Sequence, residues 1–166
     1  MKVKGYSMII AALFVAANAF AHSEGIKPGF VENLMEHYLS VQQALAIDEI
    51  EATTEGANQF GKTLNLNSSL SMKPSIIKIK RSVGKLRKAD DLASARIAFQ
   101  TLSAEMHDLV DDVGIKSKKS LYLVRCPMAF SNKGGYWIQA ETEISNPYLG
   151  ASMQNCGNIE KLTKRK

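Results

Sequence analysis

The sequence is poor in the residues that most often build a reactive centre. In 166 residues it has two cysteines, three histidines and one tryptophan. No C-x-x-C or H-x-x-x-H pair is present, which argues against a zinc site. No haem C-x-x-C-H, H-E-x-x-H, phosphate-cradling glycine loop or serine elbow is present either. A cysteine nucleophile needs a neighbouring base, and no spacing ties His37 or His107 to Cys126. The chain is therefore read as a binding protein and not an enzyme.

Charge of one sign is also scarce. The net charge is +5, and setting aside Lys2 and Lys4 leaves 19 basic against 16 acidic residues, or +3. That is too little to argue for nucleic acid or a membrane surface. The local runs "KIKRSVGKLRK" (Lys78–Lys88) and "KLTKRK" (Lys161–Lys166) are read as a solvated helix face and a frayed terminus. Long apolar runs are missing after the start of the chain. Lys2 and Lys4 form a basic lead, Met8 to Phe20 an apolar stretch, and Ala19-Phe20-Ala21 a cleavage signal, so residues 1–21 are expected to be a secretory signal peptide. The apolar stretch is shorter than the roughly 20 residues that span a bilayer, and no cysteine near it offers a lipid anchor. The mature chain, residues 22–166, is expected to be one domain, periplasmic or secreted, with no membrane span.

What is present is helical periodicity. Val31, Leu34, Tyr38, Val41 and Leu45 share one face of a first helix. Ile50, Ala57, Phe60 and Leu64 mark a second, weaker one that starts near Asp48, and the polar "NLNSSLSMK" is a loop. Pro74 opens a third, with Ile76, Ile77, Ile79, Val83 and Leu86 inward. The fourth is the clearest: Leu92, Ala95, Phe99, Leu102, Met106, Leu109 and Val113 recur in steps of three and four, with Asp90 or Asp91 as cap and Gly114 as stop. Four such stripes are best buried together as an antiparallel four-helix bundle over residues 22–119. From Ser120 the period changes. "LYLVRCPMAF" and "YWIQAE", separated by Lys133-Gly134-Gly135, predict a small hairpin or irregular cap over residues 120–166. The fold class is thus mainly α.

Both cysteines lie in that cap, each beside a methionine. Cys126 and Met128 sit on one side of an extended chain if the strand continues through Pro127. Met153 and Cys156 share a face if they form a helical turn. Thiolate and thioether are soft ligands that select Cu(I) or Ag(I) over harder ions. Export to an oxidising compartment equally allows a plain Cys126–Cys156 disulfide, with the methionines filling core gaps.

The run "LYLVRCPMAFSNKGGYWIQAETEISNPYLGASMQNCG" resembles the C-terminal signature of the domain-of-unknown-function 3347 family, in which a "CPMAF-(D/N)-(D/N)-KG-A-YWL" block precedes "EI-(R)-NPY-(F)-G" and "M-x-x-CG". Upstream, "HYLSVQQALAIDEIEATTEGANQF" is similar to that family's first helix, "YLxLKDAL". The likeness runs from about His37 to about Gly157. Here Gly135, Ser145 and Leu149 stand where the family usually has alanine, arginine and phenylalanine. The resemblance implies handling of periplasmic heavy metal and heavy-metal resistance, because such domains occur as secreted proteins and as extensions of copper and silver efflux adaptors. The positions that match it are Cys126, Met128, Met153 and Cys156. An efflux adaptor or another periplasmic copper protein is the implied partner.

Auxiliary candidates are Trp137, His107 and His22. Trp137 either faces a bound cation or, the favoured reading, pins the cap to the helices. His107 neighbours the core residue Met106. His22 becomes the first residue after cleavage and joins an amine to an imidazole.

Overall fold

The computed structural model describes residues 25–116 and 120–162. The signal-peptide segment, His22 and the last residues of the basic tail, 163–166, lie outside them.

Four helices carry most of the chain: α1 (Pro28–Ala46), α2 (Ile50–Leu66), α3 (Pro74–Leu86) and α4 (Leu92–Val113). Pro28 and Pro74 stand in the first turns of α1 and α3, where a missing N–H leaves no bond unmade. Asp91 caps α4 by accepting from the Ser94 N–H at 2.7 Å. That bond holds the Asp91 carboxyl below the usual value. Gly114, at φ +82°, ends the same helix. α1 packs on α2, α2 on α3, α3 on α4, and α4 returns to α1. The expected stripes form the core: Val31, Leu34, Tyr38, Val41, Leu45, Ala57, Phe60, Leu64, Ile76, Ile79, Val83, Leu86, Ala95, Phe99, Leu102, Met106 and Leu109 are all buried. Ile50, Ile77, Leu92 and Val113 are the exceptions and sit half-buried: α3 turns Ile76 and Ile79 inward and leaves Ile77 at the boundary, and the other three stand at helix ends.

Two local expectations change. Asp48 does not start α2. The residue preceding the helix is Glu49, whose side chain makes no capping bond, whereas Asp48 holds a left-handed conformation (φ +62°) in the tight corner after α1. The polar "NLNSSLSMK" is only partly a loop, since α2 runs to Leu66 and a short 3-10 turn follows at Ser68–Leu70.

The cap is a three-stranded antiparallel sheet ordered β2-β1-β3, built from β1 (Tyr122–Cys126), β2 (Gly135–Gln139) and β3 (Asn158–Leu162). The expected hairpin is β1 with β2, registered Tyr122 to Gln139 and Cys126 to Gly135. The third strand was not expected. It pairs along β1 with a bulge at Leu123/Val124 and begins just beyond the second cysteine. β2 packs against α4 and α1, so one apolar core runs from the helices through Val124, Cys126, Trp137, Ile138 and Tyr148. The Tyr38 hydroxyl, buried between the layers, lies 2.8 Å from Ser103 Oγ and accepts the Ile138 N–H at 3.0 Å. Burial pushes its phenol well up from the ordinary value.

Among the described residues no helix is long and apolar enough to cross a membrane.

Candidate functional site

Cys126 closes β1, and the strand cannot continue. Pro127 has no N–H to donate, and Met128 takes a helical backbone conformation (φ −84°, ψ −16°) instead of an extended one. Phe130 (φ 53°, ψ 51°), Ser131 (φ 57°, ψ 49°) and Asn132 (φ 66°) then form a left-handed turn. Left-handed backbone costs roughly 1–2 kcal/mol per non-glycine residue. It is held here by the Gly134 N–H donating to the Ala129 carbonyl at 2.9 Å and by the Phe130 ring packing on Tyr148, with centroids 4.9 Å apart. Cys126 and Met128 therefore do not share one side of an extended strand.

The second cysteine is placed by a different device. A 3-10 turn, Gly150–Met153, leads into Cys156, whose N–H donates to the Met153 carbonyl at 3.1 Å. Asn146, fully buried, donates from Nδ2 to the Cys156 carbonyl at 2.7 Å and accepts from the N–H groups of Tyr148 (2.8 Å) and Leu149 (3.0 Å). Its own N–H donates to the Gln154 carbonyl at 2.8 Å. Every polar atom of that side chain thus fixes the loop that carries Cys156.

That loop is fastened to the helices at two points. Arg96 of α4 donates from Nε to the Pro147 carbonyl at 3.0 Å and forms an ion pair with Asp48. The other Asp48 oxygen accepts the Ala151 N–H at 3.1 Å. Gly150 (φ +61°) lies so close to this pair that a Cβ there would stand 1.9 Å from Asp48 Oδ1. From α1, Gln42 donates to the Ser145 carbonyl at 2.7 Å. Gln139, also buried, donates to the carbonyls of Glu141 (2.6 Å) and Glu143 (2.9 Å) and accepts from Trp137 Nε1 (3.0 Å) and the Ser145 N–H (3.2 Å). Sequence reasoning missed Asp48, Arg96, Gln139 and Asn146. Asp48 was read as the start of a helix, without its part in fastening this loop.

The outcome is a pair of sulfurs. Cys126 Sγ and Cys156 Sγ are 3.0 Å apart, with Cys126 fully buried and Cys156 half-buried. The hydrogen bond with Cys126 pushes the Cys156 thiol up from its ordinary value. The separation is longer than the ~2.05 Å of a disulfide and shorter than the ~3.8 Å that two thiolates at ~2.3 Å from one tetrahedral ion would need. A shift of less than about 1 Å reaches either arrangement, so the donor chemistry of the pair fits a soft ion and equally fits oxidation.

The two methionines are at the surface, Met128 at 47% and Met153 at 41% exposure. Neither fills a core gap. Trp137 is completely buried, edge-on to Tyr148 at 5.7 Å with its N–H bonded to Gln139, which makes it the anchor of the cap. Burial likewise pushes the Tyr148 phenol well up, and its hydroxyl donates to the Tyr136 carbonyl. His107 lines a 430 Å³ depression with Lys78, Glu105 and Asp108, among residues of α3 and α4 and none of the cap. His37 bonds Thr63 Oγ1 at 2.8 Å, tying α1 to α2. Among the described residues no three histidine, cysteine or carboxylate side chains converge as a metal site.

The chain matches a family described as "Protein of unknown function (DUF3347)" over residues 34–118. That span is just over half the chain, and the protein belongs to this family. The matched residues run from within α1 past the end of α4, so the cysteine-bearing segment lies beyond them. No curated protein and no solved structure matches the chain.

Proposed function

We propose that the protein is a periplasmic or secreted soft-metal binding module that takes Cu(I) or Ag(I) at Cys126 and Cys156, for buffering or for transfer to an efflux adaptor or another periplasmic copper protein. The observation that carries this reading is the pair of thiols brought to 3.0 Å from positions 30 residues apart in sequence. Thiolates select monovalent copper and silver. The surface thioethers of Met128 and Met153, one on each of the turns that flank the pair, are the candidate third and fourth ligands. The scaffold is read as an antiparallel four-helix bundle, supported by the short connections between consecutive helices and by α1 packing on both α2 and α4. On this reading the protein is not an enzyme.

Titrating the reduced protein with Cu(I) against a competing chelator tests the proposal. Stoichiometric binding that is lost in a Cys126→Ser, Cys156→Ser variant and weakened by Met128→Ala with Met153→Ala is the expected result. No binding, or binding indifferent to all four changes, refutes it.

The same separation favours a second reading, a disulfide-stapled structural or interaction module of the envelope without metal. Thiol labelling of protein isolated without reductant separates the two: a fully oxidised population supports the staple.

A further inference from the structure

The two sulfurs of the pair are not equivalent, and the difference has a chemical consequence. Cys126 is the last residue of the central strand β1, hydrogen-bonded between β2 and β3, and has no exposed surface. Cys156 lies half-buried on a loop whose neighbours Ala151, Ser152, Met153 and Asn155 are exposed. Thiol–disulfide exchange requires a thiolate to reach the sulfur it attacks, so access decides which cysteine an incoming disulfide meets.

We propose that Cys156 is the entry thiol for exchange with an external disulfide, and that Cys126 resolves the resulting mixed disulfide. Cys156, as thiolate, attacks one sulfur of the external disulfide. That S–S bond breaks and one external thiolate leaves. Cys126 then loses its proton and attacks Cys156 Sγ from 3.0 Å, expelling the second external thiolate. The external disulfide is reduced to two thiols while the protein pair is oxidised by two electrons to a Cys126–Cys156 disulfide. Asn146 and the Met153 carbonyl hold the Cys156 backbone throughout, so resolution needs only the closing of the sulfur gap.

Closure withdraws both thiolates from any soft ion, and in that last step the inference rests on the metal reading of the site. The exchange itself needs no metal.

The experiment mixes the reduced, folded chain with an excess of 2,2′-dithiodipyridine and follows thiopyridone release together with intact mass. Wild type should release two equivalents, keep no adduct and end lighter by two hydrogens. Cys126→Ser should release one equivalent at the wild-type initial rate and retain the adduct on Cys156. Cys156→Ser should label at least about 100-fold more slowly, through opening of the cap. Parallel Cys→Ala variants with wild-type circular dichroism guard against misfolding. Equal labelling rates for the two single variants, or a wild-type chain that keeps two adducts, would overturn the proposal. A Cu(I) titration of reduced and oxidised protein separates the two claims. Ordered exchange without Cu(I) binding leaves this proposal standing and removes the metal reading, whereas Cu(I) binding with unordered exchange does the reverse.

Discussion

Replacing Asn146 by alanine probes the architecture of the site more sharply than replacing a cysteine. The side chain is fully buried and makes three hydrogen bonds, one donated to the Cys156 carbonyl and two accepted from Tyr148 and Leu149 N–H groups. Each such bond is worth about 1 kcal/mol net, and a buried backbone group left unpaired costs about 1–3 kcal/mol. The buried Tyr148 N–H is in the costlier position, so the expected loss is about 3–5 kcal/mol. At about 2–4 °C per kcal/mol for a chain of this size, the melting temperature should fall by roughly 10 °C. Urea unfolding gives the free energy, and thiol labelling under native conditions gives the local effect. Because Asn146 holds Cys156 in place, labelling of Cys156 should accelerate in the folded variant. Asn146→Asp keeps the two accepted bonds but turns the donor facing Cys156 into an acceptor, so it should accelerate labelling as well. A loss below about 1 kcal/mol with labelling unchanged would show that the loop is held by something other than this residue.

Three further outcomes are expected. Gly135→Ala should destabilise by about 1–3 kcal/mol by overpacking, because the new Cβ would stand 2.7 Å from the Tyr148 ring; a neutral result in urea unfolding would mean the ring is free to move. Burial raises the Glu105 carboxyl above its ordinary value of 4.5, and one of its oxygens has no partner, so ionisation opposes folding. Glu105→Gln should therefore melt higher than wild type at neutral pH, with the gap closing as pH falls through the raised value toward 4.5 and gone below it; a gap that is constant or reversed across that range argues against the burial cause. Oxidising the Cys126–Cys156 pair closes a loop of about 30 residues and should add about 3–4 kcal/mol in the chain-entropy picture; oxidised protein no more stable than reduced would mean that closure strains the cap.

The helices were legible because their signals are local. α4 carries its whole pattern within its own span, with Asp91 capping and Gly114 ending it, and Pro74 marks the start of α3 by what it lacks. The β1–β2 hairpin was legible for the same reason, with Lys133-Gly134 standing just before the second strand, which opens at Gly135. What could not be read depends on partners distant in sequence. "NIEKL" is short, with two of its five residues charged, and becomes β3 only by pairing with β1. Asp48 resembles a helix cap in sequence, but its partners are Arg96 and Ala151, far along the chain. The site shows both cases. That Cys126 and Cys156 could pair was legible, because two cysteines in one short cap invite it; that Met128 leaves the strand was not, because Pro127 and the left-handed turn override the strand's alternation.

X-ray absorption at the copper edge reports which atoms hold the metal. The reduced chain is loaded with one equivalent of Cu(I) and compared with a Met128→Leu, Met153→Leu variant. Sulfur alone is expected around the copper, with fewer sulfur neighbours in the variant because only Cys126 and Cys156 remain. A shell dominated by nitrogen or oxygen, or one built on sulfur in a Cys126→Ser, Cys156→Ser protein, would contradict it.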